Sequence, residues 1–194
     1  MPHRVRRLAC LLLALACACA DVHASTPARA PTLASVLVAE GYGHVPMTRY
    51  GNDHLAIEAT LNGVTGTFLI DTGAGRTVVD RARQSRFADG RQVDAAADEQ
   101  ATGAGAGNLA VATLPGSRLA IGDYRDDGFT AHFLALDHVT RAFSQRGLPA
   151  IDGVLGADVL ERGGAVIDYP NLRLYLRNPD ADAASAPNRA ARDR

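Results

Sequence analysis

Residues 68–74 read Phe-Leu-Ile-Asp-Thr-Gly-Ala, an apolar run that ends in a carboxylate followed at once by a hydroxyl residue and a glycine. A strand there would deliver Asp71 to a fixed point. Thr72 has a hydroxyl for nearby backbone or for a second copy of itself, and Gly73 lets the chain turn where a Cβ would clash. A carboxylate fixed in this way, with backbone N–H groups near its charge, is suited to hold its ionised form and to act as a base toward water. Such chemistry on an amide needs two carboxylates sharing one proton, and the sequence holds a single Asp-Thr-Gly.

The remaining candidates are weaker. There is no lysine, so Schiff-base chemistry is excluded. The three cysteines, Cys10, Cys17 and Cys19, all lie near the N-terminus. Neither a Gly-x-Ser-x-Gly elbow nor a His-Glu-x-x-His zinc motif occurs. His44, His54, His132 and His138 are scattered without ligand spacing, so no metal and no cofactor are expected. Asp126-Asp127 before Gly128 lacks a calcium-loop pattern and reads as a turn. Asp53 and Glu58 read as solvated hairpin positions. Asp152 is the rival for a second carboxylate, because Ile-Asp-Gly echoes Ile-Asp-Thr-Gly; a turn role is the better reading. Asp158 reads as a helix-start or buried hydrogen-bonding residue, and Asp168 as a cap on a strand turn.

The elements that must position Asp71 are mostly strands. His54–Leu61 and Val64–Ile70 flank Asn62-Gly63, the strongest short hairpin signal, since both turn positions want φ > 0. Val45–Tyr50, Thr77–Val79, Leu109–Leu114, Arg118–Ile121 and Phe129–Leu136 read as further strands, with turns at Pro115-Gly116 and Gly122-Asp123. Asp80–Phe87, His138–Arg146 and Ala157–Arg162 read as short helical stretches. Thr32–Glu40 fits helix or strand equally. Residues 88–108 show no periodicity, and the low-complexity stretch Ala101–Asn108 reads as flexible by composition. The last strands form a hairpin across Pro170-Asn171. Many short strands and little helix indicate an all-β, barrel-like domain.

Arg4, Arg6 and Arg7 before the apolar run Leu8–Ala20 read as a signal peptide, residues 1–24, too short for a membrane span. An uncleaved anchor is the alternative, and lipid attachment through Cys17 a weaker one. Export to the periplasm or outside the cell is expected, with no membrane span in the mature chain. Residues 25–44 read as a linker and N-terminal segment, 45–177 as the domain, and 178–194 as a polar, disordered tail. Three of the 20 basic and one of the 21 acidic residues fall in the leader, leaving a formal charge of −3. That balance gives no electrostatic case for nucleic acid.

One later segment adds to the Asp-Thr-Gly run. Residues 150–160 read Ala-Ile-Asp-Gly-Val-Leu-Gly-Ala-Asp-Val-Leu. The two runs, in this order, resemble the paired signatures of the retropepsin-like aspartic proteases. Ala165–Pro170 and Leu172–Leu176 also resemble the closing hairpin of bacterial members. The resemblance covers roughly residues 45–177. It implies a closed all-β barrel with one or two short helices. It also implies an aspartic endopeptidase without cofactor that acts on a peptide or protein substrate as a homodimer, Asp71 of each chain forming the dyad. In this reading Asp71 is catalytic, Thr72, Gly73 and Ala74 support the active-site loop, and Gly153 and Gly156 pack against it. The flap over the substrate would come from between the motifs, near residues 101–112, with Gly103–Gly107 as its tip or as an ordinary surface loop. The alternatives are a non-catalytic peptide-binding or scaffold domain on the same fold, or a lipid-anchored envelope protein whose protease fold serves assembly.

Overall fold

A computed structural model describes residues 30–51, 53–103 and 106–179. The expected signal peptide, the first part of the linker and all but the start of the expected tail lie outside them.

Thr32 decides the segment that the sequence left open. Its hydroxyl accepts from the Ser35 N–H at 3.2 Å, an N-cap that starts helix α1 (Leu33–Ala39), which ends before Gly41 at φ 84°. Strand β1 (Tyr42–Pro46) and strand β2 (Thr48–Tyr50) divide a run that reads as one strand. The break falls at Met47, whose N–H turns aside to Leu172 O at 2.8 Å while the chain passes from one sheet to the other.

Strands β3 (His54–Leu61) and β4 (Val64–Ile70) form the expected hairpin, with Asn62 at φ 51° and Gly63 at φ 86°. Asn62 is anchored as well as turned. Its Nδ2 donates to Phe87 O at 2.8 Å, and its Oδ1 accepts from Arg118 N at 2.9 Å. Strand β5 (Val78–Asp80) leads through a 3-10 turn, Arg81–Arg83, into helix α2 (Gln84–Phe87).

The described part of residues 88–108 is more regular than its composition suggests. Strand β6 (Asp94–Gly103) pairs antiparallel with strand β7 (Ala106–Ile121), so backbone pairing supplies the order that side-chain periodicity does not. Strand β7 also crosses Pro115-Gly116 without turning. Both sides stay paired to strand β8 (Tyr124–Leu134), Leu114 with Ala131 and Ser117 with Phe129. The extra residue is a bulge with Gly116 at φ 63°, closed by the Ser117 hydroxyl on Leu114 O at 2.8 Å. Asp126 and Asp127 therefore sit within a strand rather than in a turn. Helix α3 (Asp137–Ser144), strand β9 (Gly153–Leu155), helix α4 (Ala157–Arg162) and the hairpin of strands β10 (Val166–Asp168) and β11 (Arg173–Arg177) complete the order.

Strands β1, β11 and β10 make a small sheet. The large sheet runs β2-β3-β4-β9-β5-β8-β7-β6, and β3 also pairs with β7. The pairings from β3 through β4, β9, β5, β8 and β7 thus return to β3 as a ring. The fold is all-β, as the sequence indicates, with four short α-helices among the described residues.

One apolar cluster includes Ile57, Leu61, Phe68, Leu119, Ile121, Phe133 and Leu155. A second gathers Tyr50, Ala56, Leu69, Phe143, Ile151 and Val154. Phe68 and Leu69 face opposite clusters, so the end of β4 is clamped on both faces immediately before Asp71. Within the second cluster, burial pushes the Tyr50 phenol above its ordinary pKa. No described helix is long and apolar enough to cross a membrane.

Candidate active site

Strand β9 comes from the later motif and lies between the strand that enters the Asp71 turn and the strand that leaves it. It pairs in parallel with β4, Phe68 with Gly153 through Ile70 with Leu155, and antiparallel with β5, Val78 with Val154. The parallel ladder runs on past the strand end, because Asp71 N donates to Leu155 O at 3.0 Å. Both sequence motifs therefore meet in one ladder.

The turn is then closed from within. Asp71 Oδ1 accepts from Gly73 N at 2.9 Å, an Asx-type turn that fixes the carboxylate and places an N–H against its charge. Ala74 N donates to Asp71 O at 3.2 Å, and Ala74 O accepts from Ala157 N at 2.7 Å. A Cβ on Gly73 would lie 3.2 Å from Asp71 Oδ1 and crowd that oxygen. Asp71, Thr72 and Gly73 are all exposed in the single chain.

The two later glycines sit where backbone touches backbone. A Cβ on Gly156 would come within 2.4 Å of Arg76 C, 2.5 Å of Arg76 O and 2.8 Å of Ala74 O. On Gly153 it would meet Val78 O at 2.4 Å and the Phe68 ring at 2.5 Å. Neither set of neighbours can yield without moving the Asp71 turn or its exit strand.

Thr77 is the positioning residue that the sequence did not single out. It is buried, and its N–H and hydroxyl both donate to Asp158 Oδ1, at 2.8 and 2.7 Å. The same hydroxyl accepts from Gly156 N at 2.9 Å, and Asp158 Oδ1 also accepts from Val159 N at 2.8 Å. This network joins the exit of the turn to the start of α4. Its signal in the sequence is a hydroxyl residue six positions after Asp71 and a carboxylate two after Gly156, legible only once both are known to meet.

Asp152 is buried and engaged elsewhere. Its Oδ2 accepts from Thr67 N at 2.9 Å, and its Oδ1 pairs with Arg86 at 2.6 Å and lies 3.7 Å from Arg83. It braces the middle of β4 rather than facing Asp71. Asp80 Oδ1 caps the 3-10 turn at Ala82 N, Asp126 binds Arg162 and Gly128 N, and Asp168 binds Asn171. His44 packs on Tyr175, His54 on Phe143, His132 is buried in β8, and His138 lies on α3. The fold does not bring the four histidines together, and no group of three His, Cys, Asp or Glu placed to hold a metal occurs among the described residues.

Residues 57–159, which carry the Asp-Thr-Gly run, the later motif up to Val159 and the ring strands from the middle of β3 to β9, match the aspartyl protease family, and the chain belongs to that family. Among solved structures it is similar to a retropepsin-like aspartic protease from Rickettsia conorii, at 22% identity over 71% of this chain and 92% of that one, with a TM-score of 0.49. The retroviral protease-like domain of Ddi1 from Leishmania major matches at 19% identity, 64% and 89% coverage and a TM-score of 0.46. EIAV protease in complex with an inhibitor matches at 20%, over 62% and 98%, with a TM-score of 0.42. No curated protein matches.

Proposed function

We propose that the protein is an aspartic endopeptidase whose dyad is assembled from Asp71 of two copies. The observation that carries this reading is the Asp71 turn itself. Its carboxylate stands at the end of a doubly buried strand, open to solvent, with Oδ1 held by the Gly73 N–H. Asp152, Asp80, Asp126, Asp158 and Asp168 are each committed to named partners. Membership of the aspartyl protease family supports the same chemistry.

Two such carboxylates about 3 Å apart share one proton. The ionised Asp71 takes a proton from a water, whose oxygen attacks the peptide carbonyl carbon. The protonated Asp71 gives its proton to the carbonyl oxygen, forming a tetrahedral diol. Collapse breaks the C–N bond: the amine leaves with the proton that the base had taken, and a diol hydroxyl gives its proton to the other Asp71 as the carboxylic acid forms, which restores the one-proton dyad. No covalent enzyme intermediate forms.

A two-fold axis makes the carboxylate pairing symmetric. Thr72 of each copy hydrogen-bonds across that axis, and Gly73 leaves room for the water. The substrate is an extended peptide segment that adds as a strand between the catalytic floor and the β6–β7 hairpin. The enzyme works after export, as the basic and apolar leader suggests.

Cleavage of a peptide library by wild type and Asp71→Asn, read beside the mass in solution, tests this. Wild-type turnover that rises with the dimer fraction and vanishes in Asp71→Asn is expected. Turnover that persists in Asp71→Asn, or that belongs to a monomer, would overturn it.

A further inference from the structure

A groove of about 310 Å³ opens beside the Asp71 turn, lined by Thr72, Leu160, Glu161, Ala165 and Ile167 among others. The lining is apolar except for the Thr72 hydroxyl and one carboxylate, Glu161. One border is β10, an edge strand whose outer side pairs with no described strand. Two residues past Ile167, the chain presents Tyr169, 59% exposed. Outside α1, Tyr169 is the large apolar side chain that the described residues leave most exposed. It is held out by a fixed turn, because Asp168 binds both Asn171 N and Asn171 Nδ2. Two extended residues span about 7 Å, so this protrusion stands near the rim of the groove. Its exposure shows that it does not fill the groove of its own chain.

The protrusion and the hollow match in chemistry. A tyrosine ring needs apolar walls, and its hydroxyl needs a partner once buried. The groove supplies both, with Leu160, Ala165 and Ile167 for the ring and Glu161 for the hydroxyl. Position selects the occupant. Thr72 adjoins Asp71, so a two-fold axis between two Asp71 residues brings this face of one copy against the same face of the other. A knob and a hole on one self-facing surface are each used twice and close at two copies.

We propose that Tyr169 of each copy seats in the groove of the other, its ring on the apolar lining and its hydroxyl donating to Glu161. The inference rests on the homodimer of the preceding section and names the surface that holds it together.

The test is the dimer dissociation constant of the full-length chain by sedimentation, with kcat per dimer measured at saturating protein. Tyr169→Ala raises the constant at least about thirty-fold per seat, and kcat per dimer stays the same. Tyr169→Phe and Glu161→Ala each give smaller increases, and the double variant costs less than their sum, because each removes the same hydrogen bond. Contact is read directly in chains whose Cys10, Cys17 and Cys19 are serine. Mixing Glu161→Cys with Tyr169→Cys chains carrying different tags yields the mixed disulfide dimer. An unchanged dissociation constant for Tyr169→Ala overturns the proposal. A changed KM with an unchanged dimer overturns it too, and gives the groove to the substrate. A monomeric wild type removes both the dyad and the seat. A dimeric but inactive wild type removes only the dyad, and the Tyr169 variants still decide the seat.

Discussion

The Thr77 hydroxyl donates to Asp158 Oδ1 at 2.7 Å, and the Thr77 N–H donates to the same oxygen at 2.8 Å. One carboxylate oxygen thus fastens the exit of the Asp71 turn to the first turn of α4. Because the hydroxyl also receives the Gly156 N–H, removing it takes that donor's acceptor away in a buried setting and leaves Asp158 Oδ1 with two of its three donors.

Thr77→Val should therefore lower stability by about 1–3 kcal/mol. It should also lower kcat more than it raises KM, since the turn that holds Asp71 loosens while the substrate cleft stays. Denaturant midpoints and steady-state kinetics check this. A double-mutant cycle with Asp158→Asn should show coupling of about 0.5–3 kcal/mol; additive losses would mean that the two residues act independently.

Asp71→Asn should reduce kcat by at least about 10²–10⁴-fold, the range of a lost acid–base group. Asp71 is exposed, so stability should change by less than about 0.5 kcal/mol. Retained turnover with an unchanged melting curve would place the chemistry elsewhere.

Asp152→Asn separates bracing from catalysis. Its loss leaves the Arg86 and Arg83 charges without their partner beside β4, costing about 2 kcal/mol once the partial exposure of those arginines is allowed for. Measured on folded protein well below the melting point, turnover should stay within about threefold of wild type. A fall as deep as that of Asp71→Asn would make Asp152 part of the dyad.

Gly156→Ala should be the harshest single-methyl change near the site. The added carbon meets backbone atoms of Arg76 and Ala74 rather than a flexible side-chain end, so about 3 kcal/mol or more is expected. Thermal unfolding gives the cost. A variant as stable as wild type would show that the turn and β9 can separate without penalty.

The sequence disclosed the parts of this fold that rest on local chemistry. Asn62-Gly63 announced its hairpin because the positive φ at both positions follows from residue type. The run to Ile70 announced a buried strand, and its position put Asp71 at the strand end. Gly116 misled, because a glycine at φ 63° serves a bulge as readily as a turn, and only the partner strand β8 decides which. The β6 segment gave no signal, since its order comes from pairing with β7. Thr77 with Asp158 stayed hidden because they are 81 residues apart and join through a three-dimensional approach that no spacing rule encodes.

The parallel pairing of β4 with β9 also has a consequence for biosynthesis. Thr67 and Asp152 are 85 residues apart, so the ladder that seats Asp71 closes a long loop. A ribosome-bound chain that ends short of Leu155 has the acid in its sequence but no scaffold to aim it. The Asp71 turn thus stays unseated in any nascent or truncated chain that lacks β9, whatever part of the fold lies upstream.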